Sequence, residues 1–295
     1  MDEAFAAYEG VRHRLPSTQG NGACQRLTDL SALAPDIEVF FLDAFGVLNI
    51  GETAIPGAPE RVAALQGQGK RVLVVSNAAS HPHASLVSKY KRMGFDFAPR
   101  DVVTSRLTAL HALRKEPDCH WGLMASEDLG REDFEHLNAT YLAEERSAYD
   151  SVDAFLLMGS AGWTEDRQAR LENSLNHRPR PVVVANPDIV APREYGFSTE
   201  PGHFAHRLAD RTGIQPRFFG KPFQSIYDFA FARLDNVDPA RVVMVGDSLH
   251  TDILGAQTAG VRSALIARFG FFADGDAEKA IEISGIRPDY ILDRP

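Results

Sequence analysis

Short, unbroken apolar runs constrain this chain more than any other feature. One run takes in Ile37 and Val39–Leu42, between Asp36 and Asp43. Others lie at Val72–Val75, Val182–Ala185, Val242–Val245 and Ala264–Ala267, with a weaker one at Tyr290–Leu292. β-Branched runs of this length, without alternation, read as strands buried on both faces. Helical patterns separate them at 58–68, 85–93, 105–115, 203–211, 223–234 and 251–259, and a short helix is expected over 26–34. Gly67, Gly94 and Gly213 stand where a helix commonly closes on a left-handed residue. Alternating strands and helices predict an α/β fold built on a mostly parallel, Rossmann-like sheet.

A length of 295 residues suits one large domain or two. Residues 113–211 carry strand candidates of their own, His120–Met124 and Val152–Met158, with helices expected near 131–143 and 164–176. This stretch reads as a second α/β domain inserted into the first. The core would then comprise 1–112 and 212–295, and the insert 113–211. No window reaches the ~18 apolar residues of a membrane span. The first residues carry acids and no apolar segment, so no secretory signal is expected. Cys24 and Cys119 lie far apart and outside CxxC spacing. That disfavours a disulfide framework or a cysteine metal site and suits a reducing cytoplasm. With 31 Lys+Arg against 40 Asp+Glu, the net charge of −9 argues against a nucleic-acid partner. An anionic ligand would therefore need local positive charge.

Polar residues gather where the apolar runs stop. The first run ends in Asp43 (FFLDAFGVLN) and the second in Ser76-Asn77 (VLVVSNAAS). Lys221 sits in FFGKPF, and the 242–245 run leads to Asp247 and Asp252 in GDSLHTD. Ligands of an open parallel sheet bind beyond the carboxyl ends of its strands, so these segments can share one pocket. Their residue types suit phosphoryl transfer. A carboxylate can attack phosphorus. Carboxylates with water can hold Mg²⁺. A hydroxyl, backbone N–H groups and an ammonium can hold the phosphate oxygens. Taken singly, each residue has a plainer reading as a cap, a loop residue or a solvated lysine. The ordered set is what carries the inference. Gln66–Lys70 looks like a phosphate loop but precedes a strand and lacks a Ser/Thr after Lys70, so it reads as a turn.

With these segments, and with IPGA at 55–58, ANPD at 185–188 and GKP at 220–222, the chain resembles the haloacid dehalogenase (HAD) superfamily. Within it, the chain is most similar to the sugar-phosphate, p-nitrophenyl-phosphate and pyridoxal-phosphate phosphatases that carry a large α/β cap. The resemblance runs from about Ile37 to Leu292. It implies Asp43 as nucleophile and Mg²⁺ ligand, with the Phe45 backbone carbonyl and Asp247 as further ligands. Asp252 would act through a metal-bound water or support Lys221. Ser76 and the Asn77 N–H would bind the phosphoryl group, and Lys221 would neutralise charge between it and the nucleophile. It further implies a small phosphorylated metabolite as partner and a homodimer formed through the cap.

Phe45 departs from the pattern. Phosphatases of this kind place a second Asp there, which protonates the leaving group and then activates water. General acid–base catalysis is typically worth about 10²–10⁴-fold. Ala78 is a smaller departure, where relatives often carry Asn. Three functions stay open. The first is a Mg²⁺-dependent phosphatase, which the retained Asp247/Asp252 pair favours. The second is a phosphate- and Mg²⁺-binding protein of low or no turnover. The third is a metal-independent haloacid dehalogenase, whose Asp-Ala-Tyr-Gly also places an aromatic at this point. Histidine is a residue type suited to acid–base work near neutrality, so His81 and His83 could replace the missing acid, although surface histidines are the plainer reading. Asn186 and Asp188 fit a structural turn as well as a substrate contact.

Overall fold

The computed structural model describes residues 2–17, 20–192, 196–273 and 275–295. The apolar runs of the core assemble into a seven-stranded sheet. Its spatial order is Gln25–Leu27, Tyr290–Leu292, Arg262–Ile266, Val242–Gly246, Val39–Leu42, Arg71–Ser76 and Val102–Thr104. Every neighbouring pair is parallel. Successive side chains of a strand point to opposite faces, and here both faces are covered. Phe40, Leu42 and Val74 pack under helices Ala58–Gly67 and His83–Arg92. Val39, Phe41, Leu73 and Val75 pack under Gln224–Phe231 and Leu254–Ala259. Double coverage is why these runs show no polar alternation.

A second sheet of five parallel strands has the order Arg217–Phe218, Val182–Val184, Ala154–Leu157, Trp121–Met124 and Ala139–Tyr141. Helices Glu165–His177 and Pro201–Thr212 cover one face through Leu171, Leu175, Phe204 and Leu208. The edge strand Arg217–Phe218 comes from beyond position 211 and is too short to register as an apolar run. Two antiparallel pairs complete the description, Asn49–Ile50 with Thr53–Ala54 and Val190–Pro192 with Phe197–Thr199. No helix among the described residues is long and apolar enough to cross a membrane.

Three local expectations change. Residues 131–143 form no helix, because Asp133 takes a left-handed φ of 76° and Ala139–Tyr141 joins the sheet. The buried Arg106 organises the turn instead, since its Nε donates to Asp133 at 2.8 Å and its Nη1 to the Ala79 carbonyl at 3.1 Å. Residues 26–34 split into the strand Gln25–Leu27 and a 3-10 turn, Leu30–Leu33, capped by Asp29. Helix Ala58–Gly67 takes Gly67 in as its last residue, and the left-handed glycine is Gly69, at φ 77°.

Helix Asp2–Gly10, for which the sequence carried no signal, touches both units. The Tyr8 hydroxyl accepts from the Ile189 N–H at 3.2 Å and donates to the Val190 carbonyl at 3.4 Å. Its ring stacks on His250 at 5.2 Å, and His250 pairs with Glu9 at 2.5 Å.

His206, on Pro201–Thr212, is buried against Phe218 with no hydrogen-bond partner on either ring nitrogen among the described residues. Burial pushes its pKa from 6.5 down to about 4. The unfolded chain therefore takes up a proton that the fold refuses. The stability involved is whole above pH 6.5 and is lost as pH falls toward 4, about 2 kcal/mol of it by pH 5. His206→Leu is expected to shrink the drop in Tm between pH 7.5 and pH 5 by about 3 °C. An unchanged drop in a thermal melt would remove His206 from the account.

Candidate active site

Parallel neighbours end on the same side of a sheet, so three central strands deliver their terminal polar residues together. Asp43 follows Val39–Leu42, with its N–H held by the Val245 carbonyl at 2.9 Å. Ser76 ends Arg71–Ser76, and Asp247 follows Val242–Gly246. Asp252 sits on a widened π-helical turn, Leu249–Ile253, of the kind often found at functional sites. Its Oδ2 accepts the Ser248 N–H at 3.1 Å, which turns the carboxylate back toward the strand end. Lys221 enters from the loop after Arg217–Phe218.

The charges meet closely. Lys221 Nζ lies 2.7 Å from Asp43 Oδ1 and 2.7 Å from Asp252 Oδ1. Asp43, Asp247 and Asp252 each offer an oxygen within 4.8 Å of the others. Lys221 and Asp252 are almost wholly buried. Burial acts to lower the Lys221 pKa, but Asp252 and Asp43 outweigh it and hold the ammonium above its ordinary value. Burial also raises Asp252, to about 6, although Lys221 pulls it down. Asp247 is driven well above the usual carboxylate range by burial first, then by Asp43 and Asp252. When ionised, three carboxylates against one ammonium leave two negative charges. An all-oxygen donor set with that deficit fits a hard divalent cation such as Mg²⁺.

Asn77 has a part that the sequence did not reveal. Its side-chain Oδ1 accepts the Lys221 N–H at 2.7 Å, while its Nδ2 donates to the Lys221 carbonyl at 2.9 Å and to Asp188 Oδ1 at 2.8 Å. The amide thus clamps the Lys221 peptide and reaches into the insert. Two glycines let the backbone approach. At Gly46 (φ 76°) a Cβ would lie 2.5 Å from Asp247 Oδ2, and at Gly220 (φ 124°) one would lie 2.6 Å from Asn77 Oδ1.

Asp43, Phe45, Ser76, Asn77, Lys221 and Asp247 all line one cavity of about 540 Å³, with Asp252 directly behind Lys221. That volume suits a small molecule. Its far wall comes from the insert, through Asn186, Asp188, Val190 and Glu200, and Tyr8 closes one side. His81 lines the cavity, whereas His83 Nε2 lies 3.0 Å from the Val102 carbonyl. Tyr8 and Tyr90 also line the cavity, although neither adjoins a strand end in sequence.

A model of haloacid dehalogenase-like hydrolases matches residues 40–138, and a HAD-hydrolase-like model matches 218–294. The glycerol-3-phosphate phosphatase of Gallus gallus is 30% identical over 299 residues, covering 93% of this chain and 95% of that protein. This chain belongs to the haloacid dehalogenase-like hydrolases. A HAD-superfamily structure from Cytophaga hutchinsonii, described as a "possible sugar phosphatase", aligns with a TM-score of 0.81 at 26% identity, covering 92% of this chain and 98% of that one. The glycerol phosphate phosphatase of Mycobacterium tuberculosis, solved in complex with magnesium, aligns at 0.70 and 27% identity, covering 88% and 75%. Neither HAD model reaches residues 139–217, the stretch that supplies the far wall of the cavity.

Proposed function

We propose that this chain is a Mg²⁺-dependent phosphatase of small phosphomonoesters that works through an aspartyl-phosphate on Asp43. The observation that carries the reading is the cluster itself: three carboxylates within 4.8 Å and one buried Lys bridging two of them, under a cavity of small-metabolite size. Asp43 and Asp247, with the Phe45 carbonyl, would hold the metal, and Asp252 would reach it through water. Bound Mg²⁺ would supply the charge that lets an anionic carboxylate approach an anionic phosphate. Asp43 attacks phosphorus, Ser76 donates its hydroxyl to a phosphoryl oxygen, and Lys221 offsets the charge between them. The inserted sheet, whose span we extend to Phe218, caps the cavity and selects the substrate. On this reading Lys221 and Mg²⁺ would supply the positive charge that an acidic chain needs for an anionic ligand. A dehalogenase has no use for the doubly negative cluster, which argues for the phosphatase.

The test is p-nitrophenyl phosphate turnover. Activity is expected with Mg²⁺, loss in EDTA, and recovery when Mg²⁺ is restored. Turnover that survives chelation would defeat the reading, as would chloride release from 2-chloropropionate without metal. Mg²⁺ at 100 times its Kd should also stabilise the fold by about 2.7 kcal/mol, read as a rise in Tm.

A further inference from the structure

Resting on the phosphatase reading, we infer that Asp188, carried by the insert, is the general acid and base of this site, in place of the carboxyl that position 45 lacks. The geometry comes first. Asp188 lines the cavity with Asp43, Phe45 and Ser76, and its Oδ1 is held 2.8 Å from Asn77 Nδ2. That same nitrogen is 2.9 Å from the carbonyl of Lys221, whose ammonium touches Asp43. The carboxyl therefore stands on the cap side of the cavity, where the alcohol of a bound phosphomonoester would point. Phe45 also lines the cavity, and its side chain has no proton to offer.

Four other titratable groups of the wall, Tyr8, Tyr90, Glu52 and Glu200, are engaged by neighbours or hold their protons too tightly. The Tyr8 hydroxyl is engaged by Ile189 and Val190, and burial pushes its pKa well above the ordinary value. Burial raises Tyr90 as well. Glu52 pairs with Lys89 at 2.8 Å, and that hydrogen bond keeps its pKa low. Glu200 accepts from Asn186 at 3.1 Å and from Ser198 at 2.5 Å. Asp188 differs from all of these. Burial lifts its pKa to about 7, against the pull of Asn77 and Lys221 and with smaller pushes from Asp43 and Glu200. Tyr8 is the further titratable group facing it. A carboxyl poised near neutrality can both give and take a proton.

The protons balance over two steps. The Asp43 oxygen bonds to phosphorus, the bond from phosphorus to the alcohol oxygen breaks, and the Asp188 proton passes to that oxygen. Asp188, now a carboxylate, takes a proton from water as the water oxygen bonds to phosphorus and the bond from phosphorus to the Asp43 oxygen breaks. Phosphate leaves, and Asp43 and protonated Asp188 are restored.

The test compares leaving groups. kcat/KM reports on the steps through departure of the alcohol. Nitrophenolate leaves without a proton, whereas an alkoxide does not. Asp188→Asn is expected to lower kcat/KM for glycerol 3-phosphate by about 10²–10³-fold, and for p-nitrophenyl phosphate by only a few-fold. Phe45→Asp in the Asp188→Asn background should recover at least about tenfold on the alkyl ester. That recovery also requires a folded site. Equal losses on both esters would reduce Asp188 to a positioning residue for Asn77. No loss on either would pass the role to His81 or solvent. A double variant as slow as Asp188→Asn would likewise overturn the assignment. A wild type inert toward both esters with Mg²⁺ would defeat the phosphatase reading itself, and this inference with it.

Discussion

Asp43→Asn is expected to cut kcat on p-nitrophenyl phosphate by about 10⁴-fold or more, the scale seen when a covalent nucleophile is removed. The amide keeps the shape of the carboxylate but cannot attack phosphorus. Its effect on the fold should run the other way. Asp43 is one of three carboxylates crowded around a single ammonium, and its charge raises both Asp247 and Asp252. Removing that charge relieves the repulsion, while Lys221 keeps its 2.7 Å contact with Asp252. In EDTA, Asp43→Asn should therefore melt above the wild type while being nearly inert. Loss of function with gain of stability is the signature of a site strained for chemistry. Turnover at the wild-type rate would remove Asp43 from the nucleophile role. A lower Tm in EDTA would show that the repulsion is not felt.

Lys221→Met should be the most destabilising change at this site. Removing one partner of a buried ion pair costs about 3–5 kcal/mol, because the other charge is left unpaired. Here two partners are left, Asp43 and Asp252, the second with no exposed surface. We expect Tm in EDTA to fall by about 10 °C and turnover to fall by about 10³-fold. Mg²⁺ should win back part of the stability, since a cation then faces the same carboxylates, but little of the activity. A Tm matching the wild type in EDTA would mean that the cluster takes up protons rather than suffers the loss. Lys221→Arg would not be a mild change, because the bulkier fork cannot sit between two carboxylates at the same spacing.

What was legible in the sequence depended on distance along the chain. Asp43, Ser76 and Asp247 could be found because each ends an apolar run, and parallel strands present their ends together. Lys221 and Asp252 were legible as motif residues, and their 2.7 Å contact is one of the two roles that the resemblance implied for Asp252. The parallel α/β core followed from runs such as Val72–Val75, which stay apolar because helices cover both faces. The failures were local or very distant. Asp133 adopts a left-handed backbone that its surroundings impose, and no periodicity announces that. Gln25–Leu27 becomes a strand only because Tyr290–Leu292 lies beside it. The side-chain clamp of Asn77 on Lys221 spans 144 positions, and Asp188 was ambiguous until that clamp gave it a neighbour.

The helix Asp2–Gly10 has one more consequence, concerning time rather than space. It is made well before its partners, since Ile189, Val190 and His250 lie 181, 182 and 241 positions further on. Contacts so remote form late, after the loop-closing entropy between them has been met by other structure. Tyr8 therefore cannot wall the cavity until both sheets exist and the loop bearing His250 has settled. A half-folded chain therefore holds an open cleft, and a segment synthesised long before its partners docks only after them.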